Sequence, residues 1–203
     1  MPDTVNWNER YSTRQTPWDS GKHSRELERV IDERPIKPCR MLEIGCGTGT
    51  NAIFLAKRGF TVTAVDVSSL AIEQAHAKAK QAGVNVDFRV ADILRGADLG
   101  PPFDFVFDRG VYHHVRTIDL WGFLTALSRL TKGGSHYLTL AGNANDRETP
   151  EGVGPPVVRT VEICTELSSL FDLVQLREFT FDGIVVDGKP ITPLAWSALF
   201  RRR

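Results

Sequence analysis

Strand-like and helix-like patterns of apolar residues alternate through most of this chain. Short apolar runs of the kind found in buried strands occupy residues 39–44, 60–66, 86–92, 103–108 and 136–141. Between them apolar residues fall at helical spacing, most clearly over 119–131, and Gly59 and Gly83 end two of these segments. Such alternation predicts an α/β domain with a mainly parallel sheet.

The two ends of the chain depart from this alternation. The first residues carry a short helical pattern with Trp7 and Tyr11, a break at Pro17, and a second helix for which Ser24 is a candidate N-cap. After the last helix-and-strand repeat, we predict a polar loop over 142–158, a helix over 160–170 and strands near 172–181 and 194–202. We therefore predict a helical lead-in over 1–38 and one domain over 39–203.

Composition narrows the class of protein. The 203 residues carry 25 Lys and Arg against 25 Asp and Glu, and this zero net charge disfavours a basic nucleic-acid clamp. The longest stretches without a charged residue span 13 residues, fewer than the roughly 20 of a membrane-spanning helix. The acidic start does not resemble a signal peptide, and three scattered cysteines predict reduced thiols, so we expect a cytoplasmic protein. Cys46 lies in a glycine-rich loop, where a thiol can be activated, so a reactive cysteine is the alternative at this position.

Acidic residues follow three successive predicted strands. Asp66, Asp92 and Asp108 each come at a strand's carboxyl end, and a glycine-rich loop over 45–49 follows the first strand. In an open parallel sheet this edge binds ligands, and a glycine loop lets the backbone approach them closely. We therefore predict a ligand site along this edge.

The loop departs from the dinucleotide fingerprint. That fingerprint reads G-x-G-x-x-G, whereas Thr50 stands here where its third glycine would fall. Glu43 precedes the loop and no basic residue follows until Lys57, which disfavours a pyrophosphate. The pattern favours a ligand with a positive or zwitterionic group.

Three motifs resemble those of class I S-adenosylmethionine-dependent methyltransferases. They are Glu43-Ile-Gly-Cys-Gly-Thr-Gly49, Val65-Asp-Val-Ser68 and Val90-Ala-Asp-Ile93. The resemblance implies a Rossmann-like, seven-stranded, mostly parallel sheet with helices on both faces and an antiparallel last strand. It also implies S-adenosylmethionine as the cofactor, S-adenosylhomocysteine as the product, and a set of cofactor contacts: Trp18, Glu43, Gly45, Cys46, Gly47, Thr48, Gly49, Asp66, Val67, Asp92, Ile93 and Asp108. Within this set, Asp66 would accept the ribose hydroxyls and Asp92 would meet the adenine amino group.

A second resemblance points to small-molecule substrates. Asp108-Arg109-Gly110 and Thr16-Pro-Trp-Asp-Ser-Gly21 are similar to segments of the thiopurine, thiol or halide, and tellurite-resistance methyltransferases. In that group the N-terminal segment forms a lid, so Trp18 would shield the cofactor and Arg109 would face the substrate. The Asn/Asp-Pro-Pro-Tyr/Phe turn of base-amino methyltransferases is missing after the fourth strand, which disfavours a nucleic-acid partner. The glycine loop differs from that of the thiopurine enzymes, so their substrate does not carry over.

Further candidates surround this edge. His113 and His114 offer a general base near neutral pH for a hydroxyl or phenol acceptor, although at most one of the two neighbours can act, and a thiol needs a base less. Tyr112, Arg147 and Arg159 are candidate substrate contacts, and no metal site is predicted. The sequence thus predicts a monomeric or homodimeric methyltransferase acting on a small thiol, other soft nucleophile, hydroxyl or phenol. A cofactor-binding protein without methyl transfer and an NAD-dependent oxidoreductase remain the alternatives.

Overall fold

A computed structural model describes residues 5–34, 36–150, 153–182, 184–186 and 188–203. Its helices are α1 (Trp7–Ser12), α2 (Arg25–Glu33), α3 (Thr50–Lys57), α4 (Ser69–Ala82), α5 (Tyr112–Leu130) and α6 (Thr160–Leu167). Its strands are β1 (Arg40–Ile44), β2 (Thr61–Asp66), β3 (Asp87–Val90), β4 (Phe103–Arg109), β5 (Thr131–Asn143), β6 (Val157–Val158), β7 (Phe171–Thr180), β8 (Ile184–Val186), β9 (Lys189–Ile191) and β10 (Leu194–Arg202).

The central sheet has the order β3-β2-β1-β4-β5-β10-β7, and β6 adds an eighth strand beside the end of β5. The strands from β3 to β5 are parallel, whereas β10 runs antiparallel to both of its neighbours. This confirms the predicted Rossmann-like sheet with an antiparallel last strand. The order reverses between β1 and β4, so their carboxyl ends flank the crevice where such sheets bind ligands.

Period-two alternation along the strands builds a core on each face of the sheet. On β4, Phe105 and Phe107 pack on one face with α2, α3 and α4, while Val106 packs on the other face with α5 and α6. All three side chains are fully buried. Helix α2 therefore belongs to the core, and only the segment that precedes it, residues 7–23, lies over the carboxyl edge of the sheet. We call this segment the lid.

Two features differ from the predicted elements. Helix α5 begins at Tyr112 rather than 119, because a first helical stretch precedes a kink at Asp119, whose backbone is extended (φ −153°, ψ 79°). The Asp119 carboxylate accepts a hydrogen bond from Gly122 N–H at 2.8 Å and so starts the second half of the helix. A small hairpin, β8–β9, follows β7, and its three-residue strands are too short to give a sequence pattern. Among the described residues no helix is long and apolar enough to span a membrane.

Candidate functional site

The glycine loop joins β1 to α3 at the centre of the carboxyl edge. Gly45, Gly47 and Gly49 all have positive φ, which other residues adopt only with strain. A side chain at Gly47 would collide with the hydroxyl of Tyr11, 2.7 Å from its Cβ position. One at Gly49, the N-cap of α3, would collide with Phe88 at 2.7 Å. The loop therefore needs glycine both for its backbone path and for the packing around it.

Asp66 lies directly beside this loop at the end of β2. Its carboxylate accepts hydrogen bonds from the backbone N–H groups of Gly47, at 2.8 Å, and Ser68, at 2.9 Å. The side chain is only 8% exposed, and burial raises its pKa above the ordinary value. Val67 follows and is 46% exposed, although it is apolar. Asp66 is thus held against the loop by two backbone donors, with an apolar neighbour open to contact.

Asp92 lies next to Asp66 along the same edge. The backbone N–H of Ala91 donates to the Asp66 carbonyl at 2.9 Å, which joins the two loops. The Asp92 carboxylate accepts from Leu94 N–H at 3.0 Å and pairs with the exposed Arg95 at 3.2 Å. Ile93 is buried behind it. The structure thus brings the predicted ribose and adenine contacts onto neighbouring loops.

Glu43 is the most unusual acid of the site. It is 1% exposed, and one carboxylate oxygen accepts from the Asn51 amide at 3.2 Å. The other oxygen is buried and has no hydrogen-bond partner among the described residues. Burial raises the pKa of Glu43 to about 8. Because an orphaned buried oxygen is costly, a cationic ligand group beside it would stabilise this side chain. The residues present therefore fit a cofactor with a positively charged end.

The lid is fastened to several loops of the edge. Asn8 accepts a hydrogen bond from the Ser68 hydroxyl at 2.8 Å, and Asp19 accepts one from the Thr48 hydroxyl at 2.7 Å. Pro17 accepts at its carbonyl from Val185 N–H of the hairpin at 3.1 Å. The lid therefore spans the edge from the β2 loop to the β8–β9 hairpin.

Arg109, at the end of β4, joins the lid to the C-terminal half of the chain. Its guanidinium donates to the carbonyls of Trp18 and Asp182, each at 3.1 Å, and lies 5.0 Å from the Phe181 ring. Its Nε is buried without a partner among the described residues. In this arrangement the residue acts as a latch on the lid, and its buried Nε–H can still donate to a further group.

Aromatic rings from the lid and α5 cluster beneath the latch. Trp7 lies 5.8 Å from Trp18 and 5.4 Å from His114, measured between ring centroids. His114 is half-buried, and burial lowers its pKa. His113 is 4% exposed and its Nδ1 accepts a hydrogen bond from Gly142 N–H at 3.1 Å. Burial holds the His113 pKa well below its ordinary value, so both rings are neutral at pH 7. His114 is the member of the pair that faces the lid.

Two of the predicted contact residues are enclosed by the protein. Asp108 is fully buried, and its oxygens accept from Tyr137 Oη at 2.6 Å and from the backbone at the start of α5. Tyr112 is also fully buried and donates to Glu166 at 2.7 Å. Both side chains anchor α5, because a buried polar group needs a partner inside the protein. Their cofactor and substrate contacts stay predictions.

The structure also shows the surroundings of three other candidate residues. Cys46 is 6% exposed and burial raises its pKa well above the ordinary value, which argues against a reactive thiol. Arg159 is the N-cap of α6 and pairs with Glu162 at 3.2 Å. Arg147 is exposed, with no hydrogen bond among the described residues. The two arginines stay predictions as substrate contacts.

Sequence reasoning missed the role of Tyr11. Its buried hydroxyl lies over Gly47 and 3.5 Å from the Trp18 indole nitrogen. Trp7 and Tyr11 are four residues apart and so share one face of α1, which is the signal that could have found them. Lys78 was missed as well. It contacts the Thr48 hydroxyl from α4, and nothing in the local pattern marks it.

Comparisons with known proteins agree with this geometry. Residues 41–134 match the family model described as a methyltransferase domain. A ubiquinone biosynthesis O-methyltransferase of Brucella anthropi is 38% identical over 101 residues, which are 50% of this chain and 40% of that protein. The chain therefore spans about two fifths of the length of the curated relatives it matches.

Solved structures extend the likeness over nearly the whole chain. A protein studied for the conversion of a disulfide bond into a thioacetal group during echinomycin biosynthesis has a TM-score of 0.80, with 25% identity over 92% of this chain and 85% of its own. TehB from Haemophilus influenzae has a TM-score of 0.69 at 20% identity, covering 87% of this chain and 62% of its own. The fold is thus the Rossmann-like fold of the class I methyltransferases, and residues 41–134 match a methyltransferase domain; S-adenosylmethionine is the cofactor of that class.

Proposed function

We propose that this protein transfers a methyl group from S-adenosylmethionine to a soft, sulfur-centred acceptor on a small molecule. The observation that carries the proposal is a ligand edge with a buried acid at the loop and neutral histidines under an aromatic lid. Such a site can hold a zwitterionic cofactor, and it has no strong base to offer.

The placement of the edge residues supports the following cofactor contacts. The backbone of Gly45–Gly49 would lie against the methionine part, with the unpartnered Glu43 oxygen near its ammonium group. Asp66 would accept from the ribose hydroxyls, and Asp92 from the adenine amino group. Val67 and Ile93 would flank the ring. Trp18, on the lid, would cover the bound cofactor.

Methyl transfer requires few reactive groups from the protein. When bound, the cofactor supplies an electrophilic methyl on a sulfonium, which leaves as a neutral thioether. The chain's own residues must align the acceptor with that methyl and exclude water. Trp7, Trp18 and Tyr11 of the lid supply apolar surface for both tasks, and Arg109 holds that surface in place.

The lowered pKa values of His113 and His114 favour a sulfur acceptor. A hydroxyl must lose its proton to a base during transfer, whereas a thiol ionises more readily. The His113 Nδ1 is occupied and both histidines have lowered pKa values, which makes them weak bases. The structural neighbour studied for disulfide-to-thioacetal conversion also concerns sulfur chemistry. A hydroxyl acceptor is the second candidate, because the curated relatives are named O-methyltransferases, and His114 would then be its base.

A turnover panel tests the proposal. Release of S-adenosylhomocysteine is measured with aromatic and aliphatic thiols, phenols, halides and carboxylates, and binding of S-adenosylmethionine and NAD is compared by calorimetry. We expect cofactor binding without NAD binding, and faster turnover with thiols than with matched phenols. Phenol turnover that exceeds thiol turnover would overturn the sulfur assignment. NAD binding alone would overturn the methyltransferase assignment itself.

The partners and location remain part of the proposal. We propose a small-molecule acceptor, no nucleic-acid or membrane partner, a cytoplasmic location, and a monomer or homodimer. Zero net charge and the Asp108-Arg109-Gly110 turn support a small-molecule acceptor and the absence of a nucleic-acid or membrane partner. Light scattering of the purified protein measures the oligomeric state, and a gel-shift assay with DNA and RNA tests for nucleic-acid binding.

A further inference from the structure

A wide groove lies on the outer face of the lid, away from the aromatic cluster. It has a volume of about 1570 Å³ and runs between the lid, α3, α4 and the β8–β9 hairpin. We define this outer groove by Arg14 and Lys22 of the lid, Phe54 and Lys57 of α3, and Val185 of the hairpin. We propose that the outer groove binds an acidic, partly apolar peptide segment of a partner protein.

The acids that line the outer groove all have a side-chain partner. Among the residues that the structure describes, six Arg or Lys residues line it against three Asp or Glu residues, although the whole chain is neutral. Each of the three acids lies within 4 Å of a basic side chain: Glu28 with His23 at 3.1 Å, Asp182 with Arg25 at 3.8 Å, and Asp19 with Lys78 at 3.7 Å. The groove therefore keeps a surplus of positive charge.

Six cations against three acids leave a surplus of three positive charges, and four of the cations take no part in these ion pairs. Arg10, Arg14, Lys22 and Lys57 are exposed and have no carboxylate within ion-pair distance in the described part of the chain. Arg14 has φ +57°, the one positive value among the described non-glycine residues. Glycine is the unstrained choice at such a helix end. The cations come from the lid and from α3, so they surround the groove rather than follow one helix.

The floor of the outer groove is apolar. Pro17, Ile53, Phe54 and Val185 line it, and the His23 ring stacks on Phe54 with centroids 4.0 Å apart. A cationic rim around an apolar floor complements a segment that has both acidic and apolar side chains. The volume exceeds the roughly 300–1,000 Å³ of small-molecule sites. An extended peptide therefore suits the groove better than a small anion.

The position of the groove links it to the lid. Asp19 lies on the groove wall and also accepts the hydrogen bond from Thr48 of the glycine loop at 2.7 Å. A segment bound in the groove would press the lid onto that loop. Peptide binding in the outer groove is separate from the proposed activity and does not depend on the acceptor or on methyl transfer.

Peptide binding to the full-length protein tests the inference. The probe is a short fluorescent peptide of alternating Glu and Leu, and its control has Gln at every Glu; anisotropy is measured at low and high salt. The groove variant combines Arg14→Gln, Lys22→Gln and Lys57→Gln. A matched variant removes the same charge elsewhere, with Lys37→Gln, Lys80→Gln and Arg129→Gln.

We expect the acidic peptide to bind at low salt and to weaken at high salt, because exposed charge pairs are screened. The groove variant should bind it at least about tenfold more weakly, while the matched variant binds as the wild type does. Equal weakening in both variants, or equal binding of the Gln peptide, would overturn the site. If tripolyphosphate binds with the same sensitivity to the groove variant and the peptide does not, the occupant is a small anion and the peptide assignment is wrong. Unchanged melting temperatures of both variants exclude unfolding as the cause.

Discussion

Among single residues, Asp66 has the most demanding position, because its two oxygens hold two loops while facing the proposed ribose site. We expect Asp66→Asn to weaken S-adenosylmethionine binding by about 10- to 100-fold, since the amide replaces an acceptor with a donor. Calorimetric titration measures the loss. Asp87→Asn, at an exposed position on β3, is the matched control and should bind normally. Equal affinity in Asp66→Asn and wild type would contradict the assignment.

The raised pKa of Glu43 predicts that the stability of the protein depends on pH. Its pKa in the folded protein is about 8 against an ordinary 4.5, so the fold holds a proton that the unfolded chain releases between these values. This stabilisation is complete below about pH 4.5 and is lost as the pH rises through about 8. Wild-type stability should therefore fall relative to Glu43→Gln over this window, by on the order of 1 kcal/mol per pH unit. Urea unfolding of both proteins measures it, and parallel pH profiles would contradict the prediction.

His114 separates the two acceptor classes. We expect His114→Ala to lower kcat for a phenol by on the order of 10²-fold, because a base is lost, while thiol turnover changes little. His136→Ala, also a half-buried histidine with a lowered pKa but in the middle of β5 rather than at its carboxyl end, is the control for general effects. Thiol and phenol turnover that fall together would show that His114 positions the lid rather than acts as a base.

At the scale of elements, the lid depends on the latch at Arg109. Lysine cannot reach both the Trp18 and Asp182 carbonyls, so Arg109→Lys should speed cofactor dissociation by about tenfold, the effect of one charged hydrogen bond. Stopped-flow displacement of bound cofactor measures the rate.

A second variant separates the latch from a general effect of replacing an arginine near the lid. Arg25 pairs with the Asp182 side chain at 3.8 Å and is 88% exposed. Arg25→Lys should therefore leave dissociation unchanged, because exposed pairs contribute little. Equal rates in the two variants would contradict the role of Arg109 as a latch.

The elements that could be predicted are those with a local signature. The strands around Phe105 and Leu42 show a nearly continuous apolar run, and the glycine loop is marked by its closely spaced glycines. The start of α5 and the hairpin could not be predicted in the same way. Asp119 reads as an ordinary polar residue until its carboxylate accepts from Gly122, and the hairpin's partner is the Pro17 carbonyl, more than 160 residues away along the chain.

For the whole molecule, stability rests on the two apolar layers of the sheet. Phe107 is fully buried in one layer, and Phe107→Ala should lower the free energy of unfolding by about 3–5 kcal/mol. Trp121→Ala removes a larger ring that is 78% exposed and should change it by no more than about 0.5 kcal/mol. Urea unfolding measures both, and a larger loss in Trp121→Ala would show that α5 is covered by a partner in solution.

The sequence by itself determined the sheet, the glycine loop and the acids at the strand ends, because strand periodicity and backbone freedom are local properties. Only the tertiary structure decided how deeply each of these acids is buried. Asp66 and Asp108 have the same place at a strand end, yet one borders the crevice and the other is sealed beneath α5. The latch at Arg109 and the surplus charge of the outer groove were also decided there. Both depend on contacts between distant segments, which exist only once the chain has folded.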